Sequence, residues 1–197
     1  MILSILAGIA ISLGCILYLT IGGITGAILF CVGLSTILIF KWNLFTGKAG
    51  LLITQEISIV ELSAIWLGNL IGTALTAMAI SLTPVGEKLI NSQILQNIVQ
   101  TRNSNLFFEN MILGMFCGLL MYIAVFGYYY TQNLAFIIWP VAVFILSGFN
   151  HCVADMFYLI LGSNSLKEFE SLIPTTLGNV VGAQIIPLLL QYHRQKS

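Results

Sequence analysis

Two stretches of this 197-residue chain, 1–40 and 110–154, contain no Asp, Glu, Lys or Arg. A helix crossing a bilayer needs about 20 apolar residues, so each stretch has room for two passes. A break suited to a turn divides each one: Thr20-Ile-Gly-Gly-Ile-Thr25 in the first and Tyr130-Thr-Gln-Asn133 in the second. One further apolar pass fits between Glu61 and Glu87, and another between Glu170 and His193. The expected spans are therefore 2–20, 24–41, 60–82, 110–130, 134–161 and 172–192. Only 7% of residues are charged, 58% are hydrophobic and the mean hydropathy is +1.00, whereas a soluble domain carries about 25% charged residues. The chain reads as an all-α polytopic membrane protein, one transmembrane domain over 1–197 with no room for a separate soluble domain. A formal net charge of zero gives no reason to expect nucleic acid or an acidic partner. Cys15, Cys31, Cys117 and Cys152 lie inside apolar segments without zinc-site spacing, so no disulfide, metal or cofactor is expected.

The two halves repeat. A charge-free hairpin, an interrupted stretch and a single span occur twice, at about 1–85 and 108–197, and Gly68-Asn-Leu-Ile-Gly72 matches Gly178-Asn-Val-Val-Gly182. Three spans per half force the second copy to enter from the opposite face, an inverted repeat. Such repeats place a substrate site near the midplane, where discontinuous helices meet. The interruptions expected here are Lys41-Trp-Asn-Leu-Phe-Thr-Gly-Lys48 after the second span and Gly148-Phe-Asn-His-Cys152 in the fifth. With six spans both termini share a side, and His193-Arg-Gln-Lys196 favours the cytoplasm.

His151 is the residue in these segments that points most strongly to chemistry. An ionisable ring carried deep into an apolar stretch is costly and marks a cavity or pathway by default, although a structural ring satisfying carbonyls at the broken helix is the competing reading. Thr46 could line the same place or cap the half-helix that follows. Asp155, four residues after His151, could share its helical face and hold or orient the imidazole, or it could meet backbone amides. Lys41 and Lys48 read as interface residues that snorkel. The Gly68/Gly72, Gly114/Gly118 and Gly178/Gly182 pairs read as close helix contacts.

The run from Trp139 through Ser147-Gly-Phe-Asn-His-Cys-Val-Ala-Asp155-Met-Phe157 resembles the fifth-helix signature of the formate/nitrite transporter family. Further blocks follow in the family's order: Leu44-Phe-Thr46, Gly68-Asn69, Leu113-Gly with Cys117, and Leu172-Ile-Pro-x-Thr-x-Gly-Asn179-x-x-Gly182. The resemblance implies an aquaporin-like fold in a bacterial-type plasma membrane, assembled as a homopentamer whose protomers each carry a pore. It implies transport of small monovalent weak-acid anions such as formate, nitrite or hydrosulfide, with protons as partners, and no enzymatic activity. By position, His151 is similar to the family's central histidine and Thr46 to its pore threonine. Phe30, Leu34, Leu44, Phe45 and Phe144 would form two apolar constrictions, and Asn179 matches a pore-associated asparagine. Without the resemblance these apolar residues would read as ordinary helix packing.

The chain also departs from the pattern. Asn150, expected on the substrate pathway, stands where an acidic residue usually precedes the histidine, Asp155 where Asn is common, and Gly118 where the fourth helix has a polar Asn. The vestibule lysine has no clear counterpart, and Arg102 is the nearest cation. These changes put substrate preference and proton coupling in question.

A bare anion crossing an apolar constriction loses its hydration at a cost of several kcal/mol, which its neutral acid avoids. Histidine, with a reference pKa of about 6.5, is the residue expected to supply the proton there. An aquaporin-like channel for neutral solutes would share this architecture, but the paired Asn-Pro-Ala motifs are absent from the sequence. An intramembrane enzyme would need a catalytic or metal-binding set such as H-E-x-x-H, which is likewise absent. A purely structural assembly protein is the third alternative.

Overall fold

The computed structural model describes residues 1–163 and 165–196, and within them the regular secondary structure is helical. α1 (Ile2–Ile21) and α2 (Gly23–Ile39) form a hairpin that turns through Gly22 and Gly23, at φ 68° and 57°. After a gap come α3 (Phe45–Lys48) and a single 3-10 turn, Ala49–Leu51. α4 (Ile59–Ser81) starts at a capping box in which Glu61 N–H donates to Ser58 Oγ (3.2 Å) and Ser58 N–H donates to Glu61 Oε2 (2.9 Å). α5 (Pro84–Ile90) and α6 (Gln93–Ser104) follow, then α7 (Phe107–Thr131), α8 (Ala135–Leu146), α9 (Cys152–Gly162) and α10 (Leu172–Lys196).

α1, α4, α7 and α10 are each long and apolar enough to cross a membrane alone, whereas α2, α8 and α9 are shorter apolar helices. The stretch expected as a fifth span at 134–161 is thus divided between α8 and α9. α5 and α6 were not read from the sequence as helices, although their start signals are present. Thr83 Oγ1 accepts from Gly86 N–H ahead of Pro84, and Ser92 Oγ accepts from Leu95 N–H, both N-cap arrangements. α6 buries Leu95, Val99 and Arg102 on one face, and this face lies against α9.

Glycines bring α1 against α4 and α7 against α10. A Cβ on Gly8 would overlap the Asn69 carbonyl, and one on Gly72 the Ile5 carbonyl. In the other pair, a Cβ on Gly118 would overlap the Asn179 carbonyl, and one on Gly182 the Met115 carbonyl. Each residue of the second set follows its counterpart by 110 positions. Backbone packing this close is how helices associate where no hydrophobic effect drives them together.

α2 and α8 end in the same motif. Trp42 N–H donates to Ile37 C=O (2.9 Å) and Lys41 N–H to Leu38 C=O (3.4 Å), while Phe149 N–H donates to Phe144 C=O (2.9 Å) and Gly148 N–H to Ile145 C=O (3.2 Å). Each pair of bonds is a Schellman motif, which requires a left-handed residue after the helix. Lys41 at φ 56° and Gly148 at φ 72° supply it. The chain then runs extended into α3 or α9. Most of α9 is buried, including every residue from Cys152 to Leu159, and the helix contacts α1, α4, α6 and α10. The four cysteines are buried and free.

Candidate functional site

The segments before α3 and α9 leave the first amides of those helices without intrahelical partners, and one asparagine serves each segment. Asn69 Oδ1 accepts from Phe45 N–H (2.8 Å), while its Nδ2 donates to Asn43 C=O (3.0 Å) and Ser4 C=O (2.7 Å). Asn179 Oδ1 accepts from Cys152 N–H (2.8 Å), while its Nδ2 donates to Asn150 C=O and Gly114 C=O (both 2.8 Å). In both cases the amide ties a residue within the gap, the first helical residue after it and a neighbouring long helix. This satisfies backbone groups that could otherwise not be tolerated in an apolar interior.

Where α3 and α9 begin, Thr46 Oγ1 and His151 Nε2 are 2.9 Å apart. His151 is the N-cap of α9, at φ −108° and ψ 107°, and its Nδ1 accepts from Ala154 N–H at 3.1 Å. An amide only donates, so Nδ1 is the acceptor nitrogen and the neutral ring carries its hydrogen on Nε2. Nε2–H therefore donates to Thr46 Oγ1, and the Thr46 hydroxyl hydrogen has no acceptor of its own among the described residues. Placing a second proton on Nδ1 would break the helix cap beside the positive end of the α9 dipole. The sequence-based expectation that this ring supplies a proton meets that obstacle.

The Phe144 ring stacks on the imidazole, with centroids 5.5 Å apart and planes at 18°, and Phe30 meets Phe144 edge-on at 5.9 Å. Two cavities approach this stack. His151, Phe144, Arg102, Asp155, Tyr18 and Tyr158 line one of about 190 Å³. Leu34, Leu44, Gly47, Lys48, Trp42 and Glu56 line the other, of about 230 Å³. The Thr46–His151 hydrogen bond joins the wall of one cavity to a residue adjoining the wall of the other.

The remaining expected residues fall into three groups. Phe30, Leu34, Leu44, Phe45 and Phe144 are all buried, Leu34 and Leu44 beside one cavity and Phe144 beside the other. Asn150 and Asn179 are fully buried and lie in the wall of neither cavity. Asn179 spends its amide on backbone. Asn150 Nδ2 donates to Asn110 Oδ1 (2.8 Å) and Thr175 Oγ1 (3.4 Å), and its Oδ1 has no partner among the described residues. The third group is a pair of charges. Asp155 does not orient His151. Arg102 Nε donates to both of its oxygens, at 3.1 and 3.2 Å, and both side chains are buried. The i, i+4 argument fails because His151 precedes the helix and its ring folds back over the first turn, whereas Asp155 points at α6. Asn69 and Asn110 were not identified as site residues, although Asn69 carried two signals, the repeated Gly-Asn string and the Gly68-Asn69 block of the family resemblance.

A family model described as formate/nitrite transporter matches residues 1–193. Among curated relatives, the formate channel FocA of Escherichia coli K12 is 28% identical over 236 residues, covering 93% of this chain and 82% of that protein. The nitrite transporter NirC of the same strain is 29% identical over 216 residues, covering 92% and 78%. A solved pentameric formate channel with formate bound superposes with a TM-score of 0.83 at 22% identity, covering 100% of this chain and 96% of that one. A solved FNT family ion channel gives 0.82 at 26% identity, covering 97% and 88%. These relatives are channels and transporters, not enzymes.

Proposed function

Because this chain belongs to the formate/nitrite transporter family, we propose that it carries small monovalent weak-acid anions of the formate, nitrite and hydrosulfide class across a membrane. The observation that carries the reading is the Thr46–His151 hydrogen bond (2.9 Å), set between two cavities and screened by Phe144 and Phe30. The arrangement suits a polar waypoint between two dry constrictions. Anions gather in either cavity, and Arg102 is the cation of the one at His151. The solute accepts from the free Thr46 hydroxyl hydrogen, which the imidazole orients, then passes Phe144 and Phe30 on one side or Leu34, Leu44 and Phe45 on the other. The aromatic and aliphatic walls exclude water and bare ions, so passage as the neutral acid costs least.

The reading includes six spans in two inverted three-helix repeats, with the second and fifth helices interrupted. Its support is the set of matched contacts in the two halves: Gly8/Asn69 with Gly118/Asn179, 110 positions on, and the two Schellman motifs with their asparagine caps. Asn69 and Asn179 act as positioning residues that hold the half-helices so that Thr46 and His151 meet. Asn150 lies in the wall of neither cavity and supports the same network through Asn110 and Asn179. A homopentamer in a plasma membrane, with both termini cytoplasmic and lipid around the apolar outer faces, completes the reading.

The test is flux into proteoliposomes at two pH values, with empty vesicles subtracted and water permeability measured alongside. Saturable formate or nitrite flux that falls in His151→Ala supports the reading. Water permeation without anion flux, or flux and pH dependence unchanged in His151→Ala, would refute it.

A further inference from the structure

The cavity at His151 holds two opposite charges that the waypoint does not use. Arg102 spends only its Nε–H on Asp155, and its two amino groups have no acceptor among the described residues. A guanidinium presents five N–H donors in a rigid fork matched to paired oxygens. Four of these remain available toward the cavity that Phe144 and His151 also line, and Arg102 borders a second cavity of about 380 Å³ beside Lys167, Glu168, Glu170, Asn103 and Asn105. The guanidinium thus stands between an outer chamber and the central ring.

Few charges face Asp155. Arg102 does so from α6, and Cys15 and Tyr18 from α1, Cys117 from α7, and His151, Cys152 and Tyr158 from α9 are the other titratable groups around it. Cys and Tyr ordinarily titrate above about pH 8, and His151 Nδ1 is already taken by the Ala154 amide. α4 carries its titratable residue in the first turn (Glu61) and α10 its own in the last turn (Tyr192, His193, Arg194, Lys196), while Lys48 of α3 lines the other cavity. At rest the pair is therefore neutral overall. An anion docking on the fork would leave a net negative charge in a low-dielectric pocket, and such a charge is strongly disfavoured. Uptake of one proton cancels it.

We propose that Asp155, paired with Arg102, is the proton-carrying residue of this pore, and that the Arg102 fork selects planar anions with two oxygens, such as formate and nitrite, over hydrosulfide. The inference rests on the anion-transport reading. The anion takes the free guanidinium edge as a proton from the bulk solution, relayed through cavity water that is left neutral, adds to the Asp155 carboxylate. The Asp155 O–H bond then breaks as the O–H bond of the acid forms, Asp155 returns to Arg102 as a carboxylate, and the neutral acid moves past Phe144. No net charge enters the constriction, and the imidazole keeps its cap throughout.

The experiment is labelled-formate flux with an internal pH indicator in proteoliposomes, comparing the wild type, Asp155→Asn and Arg102→Lys. In the wild type each formate brings one proton, and flux beyond empty vesicles rises on the order of tenfold between pH 7 and pH 5. In Asp155→Asn, which keeps an oxygen for Arg102, that ratio falls to about twofold and proton uptake uncouples from formate. Arg102→Lys, which keeps the charge and loses the fork, raises the formate KM about tenfold more than the hydrosulfide KM. An Asp155→Asn protein that keeps the wild-type pH ratio and proton uptake overturns the proposal alone. If that variant does not assemble, equal KM changes for the two anions in Arg102→Lys overturn it. Absence of formate flux in the wild type overturns the transport reading as well.

Discussion

Replacing Asn179 by leucine removes three hydrogen bonds, to Cys152 N–H, Asn150 C=O and Gly114 C=O, each 2.8 Å. Gly114 lies inside α7, so its carbonyl keeps an intrahelical partner. Cys152 N–H starts α9 and Asn150 C=O lies in the gap before it, and both residues are fully buried. At about 1–3 kcal/mol per unsatisfied buried group, Asn179→Leu costs about 2–6 kcal/mol. Leucine shares asparagine's branching but is larger, so no void contributes and any crowding adds to this loss. Asn69→Leu strands the equivalent groups, but Asn43 is only partly buried and its carbonyl can turn to water, so the loss there is about 1–3 kcal/mol. Unfolding in mixed micelles with increasing SDS, followed by circular dichroism, measures both. The same samples should lose formate flux, because His151 rides on the amide that Asn179 caps. An Asn179→Leu protein within about 1 kcal/mol of the wild type, or one less affected than Asn69→Leu, would refute the capping argument.

Gly148→Ala is expected to lose about 1–2 kcal/mol in that assay from the left-handed backbone alone, since a Cβ there meets nothing within 4 Å. Lys41→Gly, at the matching position of the other gap, should instead gain up to about 1 kcal/mol. Thr46→Val keeps the shape and removes the oxygen that His151 Nε2–H donates to. Loss of one neutral hydrogen bond of about 1 kcal/mol predicts a roughly fivefold fall in formate flux, with Thr46→Ser restoring it.

Charge-free length is a local property, so the chain's membrane character and its helix-forming segments could be read directly: α1, α4, α7 and α10 lie where the gaps between charges are longest. The turn at Gly22 and Gly23 and the left-handed Gly148 were equally open to reading, because glycine marks backbone that other residues resist. α5 and α6 were passed over despite clear caps at Thr83 and Ser92, since polar amphipathic helices leave no hydropathy signal. Asp155 was misjudged for a geometric reason: spacing of four implies a shared face only when both residues are helical, and His151 is extended.

What the order of residues determined alone was the environment each segment must occupy and the places where a helix must stop, because hydropathy, glycine and caps act over a few neighbours. Which distant groups meet was decided by tertiary structure. Thr46 finds His151 across 105 positions and Arg102 finds Asp155 across 53, and both meetings depend on gaps held by Asn69 and Asn179. In a low-dielectric interior every polar group must find a partner, and only the assembled helices bring those partners within reach.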